Sequence, residues 1–496
     1  MKRWPVVAVA ASVVLLALRL HAARVLGFGD AEALYACYAR HPQPVYLDHP
    51  GLIGVVARLF GRGEAPTPFA AHLGTALLAT LAPWFGALAA RAAGASRTGA
   101  CLAAAALLLT PEISIGLFGM TPDLPLILLW YAALAFAALA LRSEPGSARA
   151  LAFVLGAAFA AGLACDAKAS GALLLVGLVA TFAQPLARPH LRTLAPWAGL
   201  ALVLVLVAPV VIDEVERGLP MLRHRLIDTQ RGSGLSVRNL GALFGGQLLY
   251  VTPPLLYAAY LVARDLYRRR SDDAVSSLIF CVTAATTPLV VLACLSRVAE
   301  PHWVAPLYLA LPLHLARIAE RTPKLLSPVV TGLATAIGVA TIAVAHAAVL
   351  LPLAPRWLGA RYEPRYDLAN DLFAWRTGLP LVRRALLVTL APGAPPPVVV
   401  GPHWTVCAQL HAALPASVLV GCSGEIPDDF SRWLPPSLWQ EAPVVLLVSD
   451  DRFDRASSSM RGRRLDAAWH VDVERGGRAV RRITVERWVA TATASR

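Results

Sequence analysis

The sequence predicts an α-helical polytopic membrane protein with a small soluble α/β domain at its C-terminal end. Of its 496 residues, 57% are hydrophobic and only 15% are charged, and this apolar share exceeds that of an ordinary soluble domain. Apolar runs of about the length that crosses a bilayer recur as far as residue 352. Beyond Leu353 the composition becomes polar and mixed. These observations predict a membrane domain at residues 1–353 and a soluble domain at residues 354–496.

The membrane domain is predicted to contain about eleven transmembrane helices, one for each apolar run that approaches the length of a bilayer crossing. The runs cover residues 5–20, 69–90, 99–118, 124–141, 150–165, 169–187, 195–212, 242–263, 274–295, 303–316 and 325–352. The first run follows Met1-Lys2-Arg3, and no clear small-residue cleavage site comes after it. This pattern is typical of an uncleaved signal anchor.

The positive charge of the chain lies mostly in short loops between the apolar runs. The net charge is +14, and basic residues in alternate short loops mark the cytoplasmic side of a membrane protein. These loops carry Arg91, Arg97, Arg142, Arg149, Arg188, Arg192, Arg264, Arg268, Arg269, Arg270, Arg317, Arg321 and Lys324. We therefore expect a multi-pass protein of the cell inner (plasma) membrane, with a cytoplasmic N-terminus and an extracytoplasmic C-terminal domain. Topology accounts for the charge, so no nucleic-acid partner is predicted.

The C-terminal domain is predicted to be a small α/β fold. Short apolar runs at residues 398–400 and 444–448 are bounded by Pro, Gly or Asp, which is typical of buried parallel strands. Residues 405–413 between them are predicted to form a helix. The seven cysteines show no CxxC spacing, and most lie in apolar runs as small buried side chains. A disulfide between Cys407 and Cys422 is an alternative if the domain is extracytoplasmic.

Acidic residues gather just after the first apolar run. Asp30, Glu32 and Asp48 lie close together in the sequence, and His49 follows at once. Carboxylates at the edge of a membrane are costly to desolvate unless they have a function. Asp30 and Glu32 are two residues apart and so do not share a helical face. An alternative makes Asp30 a helix N-cap and Glu32 an acid of the first turn.

Further polar residues lie on the connections predicted to face outward. Met120-Thr121-Pro122-Asp123 ends in an acid, although the same residues suit the start of a helix. Lys168 lies near a predicted membrane edge, where it would bind a phosphate or pair with Asp166. The other candidates are Arg223, His224, Arg225, Arg231, Glu300 and His302. A minority alternative makes Asp48 and His49 ligands of a divalent metal ion, although no metal-type spacing joins them to other ligands.

These motifs resemble, in their order, those of the protein-mannosyltransferase-like branch of the GT-C glycosyltransferases, which includes bacterial aminoarabinose transferases. The resemblance covers residues 5–320 and extends to the C-terminal domain. It is carried by Asp30-Ala-Glu32-Ala-Leu-Tyr35, Tyr46-Leu47-Asp48-His49-Pro50, Met120-Thr121-Pro122-Asp123, Lys168 and Glu300-Pro301-His302-Trp303. Three positions differ from the family pattern: Ala31 separates the first two acids, Gly51 replaces a second proline, and Cys165-Asp166-Ala167 precedes Lys168.

The resemblance implies a GT-C fold and an inverting transfer of a sugar from a polyprenyl-phosphate-linked donor. The acceptor would be a hydroxyl group of a lipid, glycan or protein at the outer face of the membrane. The implied catalytic residues are Asp30, as the base, Glu32 and Asp123. The implied ligands of the donor phosphate are His49, Lys168 and Arg231. Tyr46, Asp48, Glu300 and His302 would orient the acceptor. The resemblance requires no cofactor.

Two other functions fit the same residues. A transporter or flippase of a lipid-linked intermediate would use an outward cavity for binding without chemistry. Transporters usually show internal repeats and interrupted helices near the membrane midplane, whereas the polar residues of this sequence gather at one predicted surface. A catalytically inactive relative that serves as a binding scaffold is the second alternative.

Overall fold

The computed structural model describes residues 4–230, 234–296, 300–319, 327–390, 396–424, 428–453 and 460–491. The chain forms two compact units. The first, here called the membrane unit, comprises Met1–Leu20, Pro44–Ile53 and Gly74–His346. The second, here called the sheet unit, comprises His21–Gln43, Gly54–Leu73 and Ala347–Arg496.

Within the described residues, seven helices are long and apolar enough to cross a membrane. They are Pro5–Val25, Pro68–Ala92, Asp123–Leu141, Ala148–Ala167, Leu194–Glu216, Ala274–Leu295 and Pro328–Leu350. An eighth span results if the pair Arg97–Leu108 and Pro111–Phe118, bent by 81°, is one crossing. These helices confirm the predicted polytopic α-helical architecture.

Three predicted runs form helices too short to count among these spans. Residues 169–187 contain the helix Gly171–Phe182, and residues 242–263 divide between two helices. Residues 303–316 likewise divide between two. Proline explains the breaks, because it lacks an N–H and cannot continue an α-helix from within. The divided helices are Val237–Tyr250 with Pro253–Arg269, and Pro306–Leu309 with Leu311–Ile318. The sequence count of eleven therefore includes runs that hydropathy cannot distinguish from unbroken spans.

Shorter helices complete both units. In the membrane unit these are Arg188–Leu191, Pro220–Arg223, the π-helix His224–Asp228 and the 3₁₀ helices Gly116–Phe118 and Pro301–Val304. In the sheet unit they are Asp30–Tyr38, Leu353–Leu358, Asp371–Thr389, Trp404–Ala413, Asp429–Trp433, Pro436–Gln440 and the 3₁₀ helices Gly359–Arg361, Pro364–Tyr366 and Leu368–Asn370. The helix Leu52–Phe60 begins within residues assigned to the membrane unit.

A buried arginine supports the bend near residue 110 in the membrane unit. The Arg19 guanidinium donates to the Ser114 carbonyl at 2.8 Å and to the Ile113 carbonyl at 3.3 Å. It also donates to Thr80 Oγ1 at 2.9 Å. A break in a membrane helix leaves carbonyl groups without their intrahelical partners, and these must be satisfied inside the protein. Arg19 supplies donors at this break.

The sheet unit contains a five-stranded mixed sheet. In chain order the strands are β1 (Val398–Gly401), β2 (Val420–Cys422), β3 (Val444–Asp450), β4 (Arg463–Arg475) and β5 (Arg478–Ala490). The spatial order is β2-β1-β3-β5-β4. β1 pairs in parallel with β2 and β3, while β5 pairs antiparallel with β3 and β4. The small C-terminal α/β domain is thus confirmed, and β2 and the hairpin β4–β5 add three strands that the sequence did not predict.

Two contacts fix helices against this sheet. Cys407 in the helix Trp404–Ala413 forms a disulfide with Cys422 at the end of β2. From the same helix, Gln409 Nε2 donates to the Phe28 carbonyl at 3.0 Å, just before the helix Asp30–Tyr38. Residues 21–43, which follow the first transmembrane helix, therefore fold as part of the sheet unit, whereas residues 44–53 belong to the membrane unit.

Candidate active site

A tight loop in the membrane unit presents Asp48 and His49. The Tyr46 N–H donates to the His49 carbonyl at 2.9 Å, and the Gly51 N–H donates to the Pro44 carbonyl at 2.7 Å. A proline at position 51 would lack this donor. Gly51, which departs from the family pattern, therefore closes the loop in this chain with its own backbone.

Arg225 holds both residues of this loop. Its Nε donates to the Asp48 carbonyl at 3.0 Å, and its Nη2 lies 3.2 Å from Asp48 Oδ1 and 3.1 Å from His49 Nε2. Because a guanidinium only donates, His49 Nε2 accepts, and the ring is neutral. Burial, followed by the charges of Arg225, Lys168 and His302, holds the pKa of His49 well below its usual value. His224 Nε2 lies 3.8 Å from Asp48 Oδ1.

Asp123 and Lys168 form an ion pair in the same unit. The ammonium donates to both carboxylate oxygens, at 2.8 and 3.0 Å. Asp123 is the first residue of its helix and follows Pro122 in the cap position, so these residues do form the start of a helix. A carboxylate in this first turn also benefits from the helix dipole.

A sharp turn after the helix Ala148–Ala167 presents Lys168. Its backbone is extended there, and its carbonyl accepts from the Gly171 N–H at 2.8 Å. A Cβ atom at position 171 would lie only 2.2 Å from the Ala164 carbonyl oxygen, so the turn requires glycine. The described contacts pair Lys168 with Asp123 and not with Asp166.

His302 lies beside the Asp123–Lys168 pair and within electrostatic range of His49. Its Nε2 lies 4.0 Å from Asp123 Oδ2, and its Nδ1 lies 3.4 Å from Glu300 Oε2. Burial, followed by the charge of Lys168, lowers the pKa of His302 despite the nearby carboxylates. The charges of Lys168 and His302 also act on His49. We call this group the charged cluster: Asp48, His49, Asp123, Lys168, Arg225 and His302.

The charged cluster has two cations and two carboxylates beside two histidines whose pKa values are lowered. Of the cations, Arg225 is the more accessible, with 36% of its side chain exposed against 13% for Lys168. An incoming anion would therefore meet the Arg225 guanidinium first and would compete with Asp48 for it.

An apolar cavity of about 90 Å³ lies in the membrane unit. Its wall is mostly aliphatic, with Thr110, Glu112 and Tyr308 as polar exceptions. Glu112 interacts electrostatically with Asp123 and Lys168. The cavity thus has the chemistry expected of a site for a hydrocarbon chain. Its acidic residue, Glu112, lies within electrostatic range of the charged cluster.

Asp30 lies in the sheet unit and is bound by an arginine. It is the first residue of the helix Asp30–Tyr38, whose N-cap is Gly29, so the N-cap alternative for Asp30 is wrong by one position. Arg452 donates to both Asp30 oxygens, at 2.7 and 3.3 Å. The same guanidinium contacts Asp450 at 2.8 Å and Asp371 at 3.2 Å. Asp30 therefore belongs to a network in which one arginine is shared by three carboxylates.

Glu32 is buried and has partners on both oxygens. Oε2 accepts from the Gly29 N–H at 2.9 Å, which caps the helix that Glu32 belongs to. Oε1 lies 2.9 Å from His72 Nε2. The predicted role as an acid of the first turn agrees with this geometry.

The predicted site residues thus fall in both units. Tyr46, Asp48, His49, Asp123, Lys168, Glu300 and His302 lie in the membrane unit, and Asp30 and Glu32 lie in the sheet unit. Arg231 lies outside the described residues. Among the described residues, no three His, Cys, Asp or Glu side chains come together as ligands for a metal ion. The metal alternative for Asp48 and His49 stays a prediction.

Sequence reasoning gave no role to two arginines that the structure makes central. Arg225 was one of several cations in a basic loop, and only its contacts with Asp48 and His49 single it out. Arg452 follows Asp450 and Asp451 at the carboxyl end of the predicted strand at residues 444–448. Such strand ends are where α/β sheets place functional groups, and this signal was available in the sequence.

Comparisons with known proteins agree with the architecture. Residues 48–212 match the family model described as dolichyl-phosphate-mannose-protein mannosyltransferase. The crystal structure of ArnT from Cupriavidus metallidurans bound to undecaprenyl phosphate is similar over 98% of both chains, with a TM-score of 0.62 and 19% identity. The apo structure of the same protein gives a TM-score of 0.61 with the same identity and coverage. The chain has the GT-C fold.

The GT-C fold confirms the architecture implied by the sequence resemblance. A partial match to the Saccharomyces cerevisiae protein O-mannosyltransferase Pmt1-Pmt2 complex bound to the sugar donor has a TM-score of 0.34 and 18% identity. It covers 47% of this chain and 34% of that chain, and no conclusion rests on it. No curated protein matches the sequence. The segment matched by the family model includes Asp48, His49, Asp123 and Lys168.

Proposed function

We propose that this protein is a membrane glycosyltransferase that moves a sugar from a polyprenyl-phosphate-linked donor to an acceptor hydroxyl group of a lipid, glycan or protein. The observation that carries the proposal is the charged cluster, in which Arg225 and Lys168 lie beside Asp48 and Asp123 in a chain with the GT-C fold. Sugar transfer from such a donor needs cations for the phosphate and carboxylates for the acceptor. The charged cluster supplies both.

Lys168, Arg225 and His49 are the proposed ligands of the donor phosphate. The phosphate is the leaving group, and it gains charge as the bond to the sugar breaks, so positioned donors lower the barrier. Arg225 presents a planar fork that suits phosphate oxygens, while Lys168 acts as a point charge. Arg231 remains a further candidate. The apolar cavity beside Glu112 is the proposed place for part of the prenyl chain.

The transfer is a single displacement at the sugar carbon that carries the phosphate. The acceptor oxygen forms a bond to that carbon as the bond to the phosphate oxygen breaks, and the configuration inverts. The acceptor proton passes to a carboxylate acting as general base, and polyprenyl phosphate departs. We retain Asp30 as the proposed base, with Glu32 and Asp123 as supporting carboxylates. The paired contacts with Arg452 fix the orientation of the Asp30 carboxylate.

The remaining predicted residues would orient the acceptor. Tyr46 and Asp48 lie in the tight loop, and Glu300 and His302 lie next to each other beside Asp123. No step of this proposal uses a cofactor, and a divalent metal ion at Asp48 and His49 stays an alternative.

The proposed location is the inner membrane, with a cytoplasmic N-terminus and the C-terminal domain outside. The disulfide between Cys407 and Cys422 supports this orientation, because such bonds persist mainly in oxidising compartments.

The test is transfer by the purified protein in lipid nanodiscs. Polyprenyl-phosphate sugars labelled in the sugar are supplied with a membrane lipid extract as acceptor, and free polyprenyl phosphate is measured. We expect release with the native protein and loss of release with Asp30→Asn. Glu363→Gln is the matched control, because Glu363 is an exposed carboxylate of the same unit. Normal release by Asp30→Asn would remove Asp30 as the base. Movement of the intact donor across proteoliposomes without release would favour the flippase.

A further inference from the structure

The segment that follows the last apolar helix is tied to the end of that helix. Pro328–Leu350 has 23 residues, a length of about 35 Å, which is enough to cross a bilayer. Arg475 in β4 is buried, and its Nη2 donates to the carbonyls of Ala348, Val349 and Leu351 at 2.9, 2.7 and 3.1 Å. Ala348 and Val349 lie in the last turn, whose carbonyls an α-helix leaves without intrahelical partners. The end of this helix is therefore held by a residue of β4.

Residues 359–370 then fold on a buried polar scaffold. Asn370 is fully buried, and its Nδ2 donates to Tyr362 Oη at 2.8 Å and to the Pro364 carbonyl at 3.0 Å. Tyr362 Oη donates to Asp367 Oδ2 at 2.9 Å, and Arg475 Nη1 reaches the same oxygen at 3.0 Å. The segment is thus an ordered loop, and its outward side chains are held there by the fold.

This segment, together with the helix Leu353–Leu358 that precedes it, turns large apolar side chains outward. Trp357 is 79% exposed, Tyr366 is 72% exposed and Leu368 is 80% exposed. Arg356, Arg361 and Arg365 are exposed among them, and Arg365 lies 4.7 Å from the Tyr366 ring centre. We call these six residues the aromatic–basic patch. Trp and Tyr are enriched at the boundary between a bilayer and water, and Arg side chains are suited to it because their apolar stems lie on apolar surface while their charged ends reach polar groups.

We propose that the aromatic–basic patch binds the headgroup layer of the membrane and prefers anionic phospholipids. The aromatic and leucine side chains would enter the boundary of the acyl chains, and the three arginines would contact lipid phosphates. Two acidic residues lie near the three arginines of the patch. Glu363 is exposed and lies 3.6 Å from Arg365, whereas Asp367 forms an ion pair with Arg475. The excess positive charge would attract an anionic membrane surface.

Insertion of the patch is tested with an environment-sensitive fluorophore on the full-length protein. Ala360→Cys places the label among the patch residues and leaves all six in place, while Ser437→Cys places it at an exposed position of the helix Pro436–Gln440. In phosphatidylcholine vesicles we expect the label at 360 to report an apolar surrounding and to be quenched by lipids that carry a nitroxide near the headgroup. The label at 437 should report water. An aqueous signal at 360 would overturn the proposal.

The patch residues are then replaced in the protein that carries the label at position 360. Replacing Trp357, Tyr366 and Leu368 by serine should return the label at 360 to a water-like signal. Their exposure means that this change should leave the fold, the disulfide and polyprenyl phosphate release intact. A signal that depends on the protein-to-lipid ratio would identify a second copy of the chain as the occupant and would also overturn the proposal.

The lipid preference is measured by energy transfer from the label at 360 to fluorescent phosphatidylglycerol or phosphatidylcholine. We expect phosphatidylglycerol to be enriched, and we expect each arginine changed to glutamine to reduce that enrichment roughly fivefold. Arg461→Gln and Arg478→Gln are the controls, because both are exposed arginines of the sheet unit outside the patch. Equal transfer to both lipids in the native protein would remove the anionic preference. Neither result depends on the proposed sugar transfer.

Discussion

The charged cluster of the membrane unit and the Arg452 network of the sheet unit are both built from carboxylates and cations, yet they differ in how those charges are shared. In the charged cluster, Asp123 pairs with Lys168, and Arg225 bridges Asp48 and the acceptor nitrogen of His49. In the sheet unit, three carboxylates converge on Arg452, and Asp371 is also held by Arg481 at 2.6 Å.

This difference suits the charged cluster to the exchange of partners, whereas it suits the Arg452 network to keeping its carboxylates in place. A cation with one carboxylate is able to accept a substrate phosphate in its place, and the released carboxylate then becomes available to the acceptor. A cation shared by three carboxylates loses several interactions at once if it moves. We therefore expect changes in the charged cluster to affect catalysis first, and removal of Arg452 to affect both the stability of the sheet unit and the position of Asp30, the proposed base.

The largest effect is expected from Arg452→Gln. The change removes the cation shared by Asp30, Asp371 and Asp450, and leaving partly buried carboxylates without a cation costs about 3–5 kcal/mol. We expect a marked fall in the apparent melting temperature of the purified protein, followed by intrinsic fluorescence. Arg452→Lys should recover part of the loss, since it keeps the charge but not the planar fork. Unchanged melting with abolished sugar transfer would show that Arg452 serves to position Asp30 for catalysis and does not stabilise the fold.

The next effect is expected from Lys168→Met. Removing a donor that stabilises the leaving phosphate lowers kcat by roughly a hundredfold or more, whereas the apparent melting temperature should change less than in Arg452→Gln. The rate of polyprenyl phosphate release from the labelled donor gives kcat, and fluorescence melting gives the apparent melting temperature. Lys168→Arg, which keeps the charge, should retain part of the activity. Full activity in Lys168→Met would show that the Asp123–Lys168 pair is structural.

The contrast between the two groups explains what the sequence could predict. The order of the motifs located Asp48, His49, Asp123 and Lys168: the first two lie in the long connection after the first apolar run, and Asp123 and Lys168 each directly precede an apolar run. The partners of these residues were harder to identify. Arg225 and Arg452 come from distant parts of the chain, at sequence separations of 177 from Asp48 and 422 from Asp30. Hydropathy and local motifs carry no information about such pairings.

The prediction of secondary structure from the sequence was limited in a similar way. The strands β1 and β3 were predicted because each is a continuous apolar run. The long hairpin β4–β5 was missed because charged residues recur along both of its strands, including Arg464, Asp472 and Arg482. In the membrane unit, prolines divided apolar runs that hydropathy alone presents as continuous.

A smaller effect is expected from acid, and it concerns a histidine pair of the sheet unit. His41 Nε2 and His411 Nε2 are 3.0 Å apart, so one ring donates and the other accepts. Burial, followed by neighbouring positive groups, lowers the pKa of His41 to about 4 and that of His411 to about 3. Since the unfolded chain binds protons near pH 6.5 and the folded one does not, stability should be retained above about pH 6.5 and lost progressively as the pH falls toward 4.

The measurement is the apparent melting temperature between pH 7 and pH 4.5. His41→Gln should flatten this dependence, because it removes one of the two groups that resist protonation. His470→Gln serves as a control, since His470 lies in β4 outside this pair. An equally steep fall in His41→Gln would assign the acid sensitivity to other groups.

The smallest effect is expected from Gly51→Pro, which tests how the charged cluster is positioned. The change restores the residue that the resemblance favours but removes the N–H that donates to the Pro44 carbonyl. A lost backbone hydrogen bond costs about 0.5–1.5 kcal/mol, so melting should change little. Because this bond closes the loop that presents Asp48 and His49 to Arg225, we expect a several-fold rise in KM for the donor with a smaller change in kcat. An unchanged KM would mean that Arg225 alone holds the loop in place, and Arg225→Gln should then produce the rise.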